Sequence, residues 1–198
     1  MARFPLYTQT FGFSCGPASL MMVLKDLDPG IALDRSEEIS IWRDANLHES
    51  RATSSYGLAL AALRRGFKTR IRANSEGIGF NRRLVEHFPQ IKEEFMELLF
   101  SETRKQARIL GVEEIPEGGC IDQIEEEIAR GIHPIVLVST SLMDEIEEIP
   151  HWIVVVAADA EYVKIANPET GALETYPRDK FCRSIGFRGY RCMISIFR

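Results

Sequence analysis

At 198 residues with a formal net charge of −5, the chain has the length of one domain able to bury most of its apolar surface. Apolar residues make up 45% and charged residues 27%, a globular balance that excludes disordered, collagenous and disulfide-stapled classes. The mild acidity argues against general nucleic-acid affinity. With no signal-peptide pattern and no apolar run of membrane-spanning length, the expectation is a cytoplasmic protein without a membrane partner.

The first strong element begins near Cys15. Ala18 to Leu27 consists of good helix formers with no breaker before Asp28-Pro29-Gly30, and Gly16-Pro17 suits a first turn. Asp34 is placed to cap a second helix from Arg35 to about Ala45, with Ile39, Ile41 and Trp42 as apolar positions. Asn46 to Ser50 reads as loop. Ser54 caps a third helix over Tyr56 to Leu63, which stops at Gly66, and Phe67 to Arg72 alternates as a short strand. From Phe80 to Leu110 apolar residues recur at helical spacing (Leu84, Val85, Phe88, Ile91, Phe95, Leu98, Leu99), and Pro89 divides the run into two helices. That stripe reads as additional core.

The second half changes character. Cys120 to Arg130 is a helix stopped by Gly131, followed by buried strands at Pro134 to Val138 and Ile153 to Ala157. Ala160-Glu161 turns into Tyr162 to Ala166, and Asn167-Pro168-Glu169-Thr170-Gly171 turns again into Ala172 to Tyr176. A short helix at Arg178 to Arg183 precedes a last strand, Tyr190 to Phe197. Helices first and an antiparallel sheet afterwards predict an α+β fold, its N-terminal helical half packed on a C-terminal antiparallel β-sheet. The basic cluster Arg64, Arg65, Lys68, Arg70 and Arg72 and the acidic runs Glu113 to Glu127 and Asp144 to Glu148 read as solvated faces.

The chemistry concentrates at the ends of these elements. Cys15 lies at a helix N-terminus, where free N–H groups and the macrodipole favour an anion, lowering a thiol's pKa. The same N–H groups could hold an oxyanion, with the Gln9 amide, six residues upstream, as second donor. The cysteines at 15, 120, 182 and 192 lack CxxC spacing, so no zinc site or redox pair is indicated, and no metal or cofactor is expected. Cys120, Cys182 and Cys192 read as packing residues, and a reducing compartment disfavours a Cys182–Cys192 disulfide.

A cysteine nucleophile needs a base. His48 falls in a polar loop and His87 in a helical pattern, both surface positions, while His133 is an edge position before Pro134. His151 opens the most apolar strand, and Asn167 ends the neighbouring one. The two bracket one hairpin and so meet at the same end of the sheet, where the Asn167 oxygen can accept from an imidazole N–H and orient the ring.

Gln9 with Cys15-Gly16-Pro17-Ala18, then His151-Trp152-Ile153-Val154-Val155, then Asn167-Pro168 with Gly171, resembles the bacteriocin-processing, double-glycine leader peptidases of the papain-like clan. The strand Gly131 to Val138 resembles that family's pattern too. The resemblance covers residues 1–30 and 130–177 and leaves the helical block at about 73–118 as an insertion within one papain-like domain, 1–198. It implies Cys15 as nucleophile, His151 as general base and acid, Asn167 as orienting residue and Gln9 as part of the oxyanion hole. Exporter-fused members carry Asp at the positions of Asn167 and Ser14, and this chain has neither transmembrane segments nor a P-loop, so it resembles a stand-alone form.

The implied activity is a cysteine peptidase or amidase that cleaves a peptide or peptide-like amide through a thioester acyl-enzyme. Two alternatives stay open at this stage: a transpeptidase or other acyl transferase using the same residues, and a catalytically silent binding module on a papain-like scaffold. The acidic loop beside His151 would favour basic substrates. Natural substrate, scissile bond and oligomeric state are not encoded in any of these features.

Overall fold

The computed structural model describes residues 3–46, 51–75, 93–143 and 148–198. His48, His87, the Phe80–Ile91 part of the expected helical run with Pro89, and most of the loops at 46–50 and 144–148 lie outside the described residues.

Helices α1 (Cys15–Leu27), α2 (Arg35–Ala45) and α3 (Ser55–Arg64) start where the sequence places them. Asp34 accepts from the Glu37 N–H (2.9 Å) and Ser54 from the Gly57 N–H (3.0 Å), so both expected caps form. Gly66 ends α3 with φ +85°, a left-handed stop that disfavours a side chain. Strand β1 (Lys68–Ala73) follows, then α4 (Glu93–Ile109), β2 (Glu113–Ile115), α5 (Ile121–Ala129) and β3 (Ile135–Ser139). The chain closes with β4 (Pro150–Ala158), β5 (Tyr162–Asn167), β6 (Ala172–Pro177), α6 (Arg178–Ser184) and β7 (Cys192–Phe197).

The fold is α+β, as expected, and its strands form one sheet in the order β2-β1-β7-β3-β4-β5-β6. Every neighbouring pair is antiparallel except β1 and β2, which run parallel. β2 is the element the sequence conceals. Its three residues sit inside an acidic run without alternation, and it joins the sheet edge with Glu113 opposite Arg70.

The centre of the sheet is buried on both faces. Trp152 and Val154 of β4 pack into the core built by α1 to α4, while Ile153 and Val155 pack with Ile124 of α5 and Phe181 of α6 on the other face. A strand covered on both sides reads as an unbroken apolar run. Helix α1 is buried continuously from Cys15 to Leu24, which makes it the central helix of its layer.

Two amphipathic assignments shift. In α4 the inward residues are Met96, Phe100 and Ala107, with Phe100 edge-on to Tyr56 of α3 (5.4 Å); Phe95 and Leu98 are exposed. In α2 the buried stripe is Glu38, Ile41 and Ala45, so a carboxylate takes a core position.

The charged clusters are not simply solvated. Arg64 and Arg65 of α3 pair with Asp44 of α2. Arg70 bonds Glu113 (2.8 Å) and the fully buried Glu127 (3.0 Å), while Arg104 and Arg108 share Glu114. Those guanidiniums, Arg108's hydrogen bond foremost, hold the Glu114 carboxyl down at about 2. Among the described residues no helix is long and apolar enough to cross a membrane. All four cysteines are free, with Cys192 fully buried and Cys120 and Cys182 partly so.

Candidate active site

Cys15 is the first residue of α1, and Ser14 before it gives the helix no side-chain cap. Ser14 Oγ is spent on Phe11 and Glu38, so no side-chain oxygen competes with the sulfur for the first N–H groups of α1. The approach is close because residue 16 is glycine: a Cβ there would stand 2.3 Å from Thr53 Oγ1 and 3.2 Å from the Trp152 ring. Ser19 ties the next turn of α1 to β4, its Oγ donating to the Trp152 carbonyl (3.1 Å).

His151 is the second residue of β4, in register with Val138 of β3, and Asn167 is the last residue of β5. The hairpin brings them together as its topology requires. His151 Nε2 donates to Asn167 Oδ1 at 3.0 Å, and the two side chains are 4% and 1% exposed. The imidazole lies close enough to the Cys15 thiol for the charge and protonation of each to be set by the other. With Nε2 engaged on Asn167, Nδ1 is the nitrogen left for sulfur.

Burial opposes charge on both members of that pair. At Cys15 burial raises the thiol pKa, but the His151 charge, its hydrogen bond and the Trp152 and Gly16 N–H groups outweigh it and leave the thiol lowered. At His151 burial works against the cation, yet the Cys15 thiolate, the bonds to Cys15 and Asn167 and the nearby Glu169 carry it up to about 9. The two shifts have one cause, and together they favour the thiolate–imidazolium form of the pair over the neutral one. By contrast, burial alone pushes Cys192 up to about 11, and burial also raises Cys182.

Gln9 reaches the same corner through its backbone. Its N–H donates to the Pro168 carbonyl at 2.7 Å, which docks the segment before Cys15 against the turn after Asn167. The Gln9 Oε1 is buried and has no hydrogen-bond partner among the described residues. Among the described residues no hydrogen bond joins the Gln9 side chain to Cys15 or His151.

The sequence reading missed what holds that segment in place. Glu38 of α2, 1% exposed, accepts from Tyr7 Oη (3.0 Å), the Thr10 N–H (2.9 Å) and Ser14 Oγ (2.6 Å). One carboxylate thus fixes the segment on both sides of Gln9 and the residue before the cysteine. Its sequence signal was an acidic residue at i−3 from Ile41 on the apolar side of α2. Phe11 and Phe13 lie outside it as a stacked pair (5.3 Å), with Trp42 5.8 Å from Phe13.

His133, read as an edge residue, is hydrogen-bonded to Asp26 (2.9 Å) and stands edge-on to Phe4. Among the described residues no group of three or more His, Cys, Asp or Glu side chains could hold a metal ion.

Solved structures reproduce this fold over nearly the whole chain. The peptidase domain of Streptococcus ComA, a bifunctional ABC transporter of a quorum-sensing pathway, superposes with a TM-score of 0.57 at 15% identity, covering 98% of each chain. A C39-like peptidase from Bacillus anthracis superposes with a TM-score of 0.58 at 13% identity, covering 99% of this chain and 96% of its own. No curated protein sequence matches. At such identities the likeness speaks for the papain-like peptidase fold alone. A family model described as Peptidase C39-like matches residues 4–185, and the chain belongs to that family.

Proposed function

We propose that the protein is a cysteine peptidase or amidase acting on a peptide or peptide-like amide. The observation that carries this reading is the buried set Cys15, His151 and Asn167, in which the imidazole is bonded to Asn167 and coupled to the thiol, whose pKa is lowered while that of the imidazole is raised. The Cys15 thiolate attacks the carbonyl carbon, and the developing oxyanion is met by the Cys15 N–H and the Gln9 amide. His151 passes its Nδ1 proton to the leaving amine, which departs and leaves a thioester on Cys15. The imidazole, now neutral, takes a proton from water as that water attacks the thioester, and the acid product leaves with Cys15 again a thiolate. Asn167 holds the ring in the orientation that keeps Nδ1 on the sulfur.

The family and the fold support a peptidase scaffold with peptide-like substrates. The test is profiling against a peptide library with Cys15→Ser as control. Cleavage by the wild type and none by the variant is the expected result. Cleavage that survives in Cys15→Ser, or a Cys15 that reacts with iodoacetamide no faster than the other thiols, overturns the reading.

A further inference from the structure

The amide of Asn167 is neutral, and an amide stabilises a neighbouring imidazolium less than a carboxylate does. Asn167 is not, however, the end of the chain of hydrogen bonds. Its Nδ2 donates to both oxygens of Glu174 on β6, at 3.2 Å each. Its Oδ1 accepts from His151 Nε2 and also from the Glu169 N–H (3.0 Å). Turning the amide over would aim NH2 at two donors and oxygen at a carboxylate, so the orientation is fixed from both ends.

The carboxylate is itself held. Thr170 Oγ1 donates to Glu174 Oε1 and Tyr176 Oη to Oε2, both at 2.6 Å, short distances typical of hydroxyls bonded to a charged acceptor. Burial raises the Glu174 carboxyl, but these hydroxyls, the Asn167 amide and the charge on His151 more than offset it, so the group is ionised at neutral pH.

We infer that Glu174 is a positioning residue for this site: it locks the Asn167 amide with Oδ1 toward His151, and it sets behind that amide the negative charge that Asn167 lacks. The inference rests on the cysteine-peptidase reading above. Among the described residues, the charged and titratable groups acting on His151 are Cys15 from α1, Glu169 from the turn and Glu174 from β6. β3 presents Val138 and Ser139 opposite His151 and Pro150, neither of them charged. Lys180 of α6 stands over the Tyr176 ring (5.6 Å), on the outer side of the same cluster.

The test is the pH dependence of Cys15 alkylation by iodoacetamide, read by intact mass on the full chain. The wild type should show two inflections, an acid one as the thiolate forms and an alkaline one near pH 9 as the imidazolium loses its proton. Glu174→Gln should move the alkaline inflection down by about half to one pH unit, the sign expected when a negative charge leaves the vicinity of a cation. Glu174→Asp should keep it near the wild-type position, and Thr170→Val should shift it the same way as Glu174→Gln but less. A merely structural role would lower the reactive fraction without moving the inflection. An unmoved inflection in a folded Glu174→Gln variant overturns the inference and leaves the catalytic reading intact. A wild-type profile with only an ordinary thiol inflection overturns the catalytic reading, and the inference with it.

Discussion

Two buried acidic side chains, Glu127 and Glu38, are satisfied in different ways. At the sheet edge, Glu127 of α5 is fully buried and meets guanidiniums, with Arg70 at 3.0 Å, Arg130 at 3.4 Å and Arg72 at 3.9 Å. Beside the site, Glu38 is almost as buried but meets a phenol, a backbone N–H and a serine hydroxyl. Guanidiniums on long side chains tie elements together through charge, while short neutral donors fix a loop's path. The first arrangement holds β1, β2 and α5 in place. The second sets where the segment from Tyr7 to Ser14 runs, and with it the approach to Cys15.

The sharpest way to break that contrast is to remove the sulfur. Cys15→Ala should abolish peptide cleavage while leaving the melting temperature close to wild type, and turnover by this variant would end the catalytic account. Next come the two carboxylates. Glu127→Ala should destabilise by about 3 kcal/mol, since it removes the buried partner of Arg70 and leaves a void behind it, with kcat/KM of the folded fraction unchanged. Glu38→Gln should cost less stability, about 1–3 kcal/mol. It should nonetheless lower kcat by up to about 10²-fold, because it loosens the groups around the reacting carbonyl. Urea melts paired with kinetics separate the two, and equal kinetic losses would erase the distinction drawn between them.

Gly16→Ala tests the packing beneath the sulfur. A Cβ 2.3 Å from Thr53 Oγ1 must displace α1 or its neighbours, at a cost of about 1–3 kcal/mol, with iodoacetamide reactivity falling alongside. The smallest effect is on pH. The imidazolium at about 9 is the proton donor, so activity should hold above the lowered thiol pKa and be half lost near pH 9 as that proton leaves. A pH–rate profile whose alkaline limb lies near 6.5 would mean that His151 gains nothing from Cys15.

Much of the fold and the core of the site were legible because they depend on local rules. A Gly-Pro first turn marks the start of α1 at Cys15, and a hairpin forces its first and last residues to the same end, which puts Asn167 beside His151. That Cys15 meets them was implied by the family resemblance alone. Glu38 and Glu174 could not. One belongs to a helix whose apolar stripe looked complete without it, the other to an edge strand whose polar residues usually face water. Each gains its role from a partner distant in sequence or across a turn. β2 was hidden for a related reason: three residues in an acidic run carry no period, and only the arginines of β1 and α4 give them a place. The apolar stripe of α4 was misjudged in rotation, since the side it buries is set by Tyr56 on α3.

The link between α1 and β4 has a practical corollary. The sulfur rides on the central helix and the imidazole on a strand covered from both sides, and the Ser19–Trp152 bond stitches the two elements together one turn along from Cys15. Parting them means shifting a core helix against a core strand. A fast-alkylating thiol in this chain would thus double as a gauge of its conformational integrity, reporting the first loosening of the interior before any spectroscopic melt registers it.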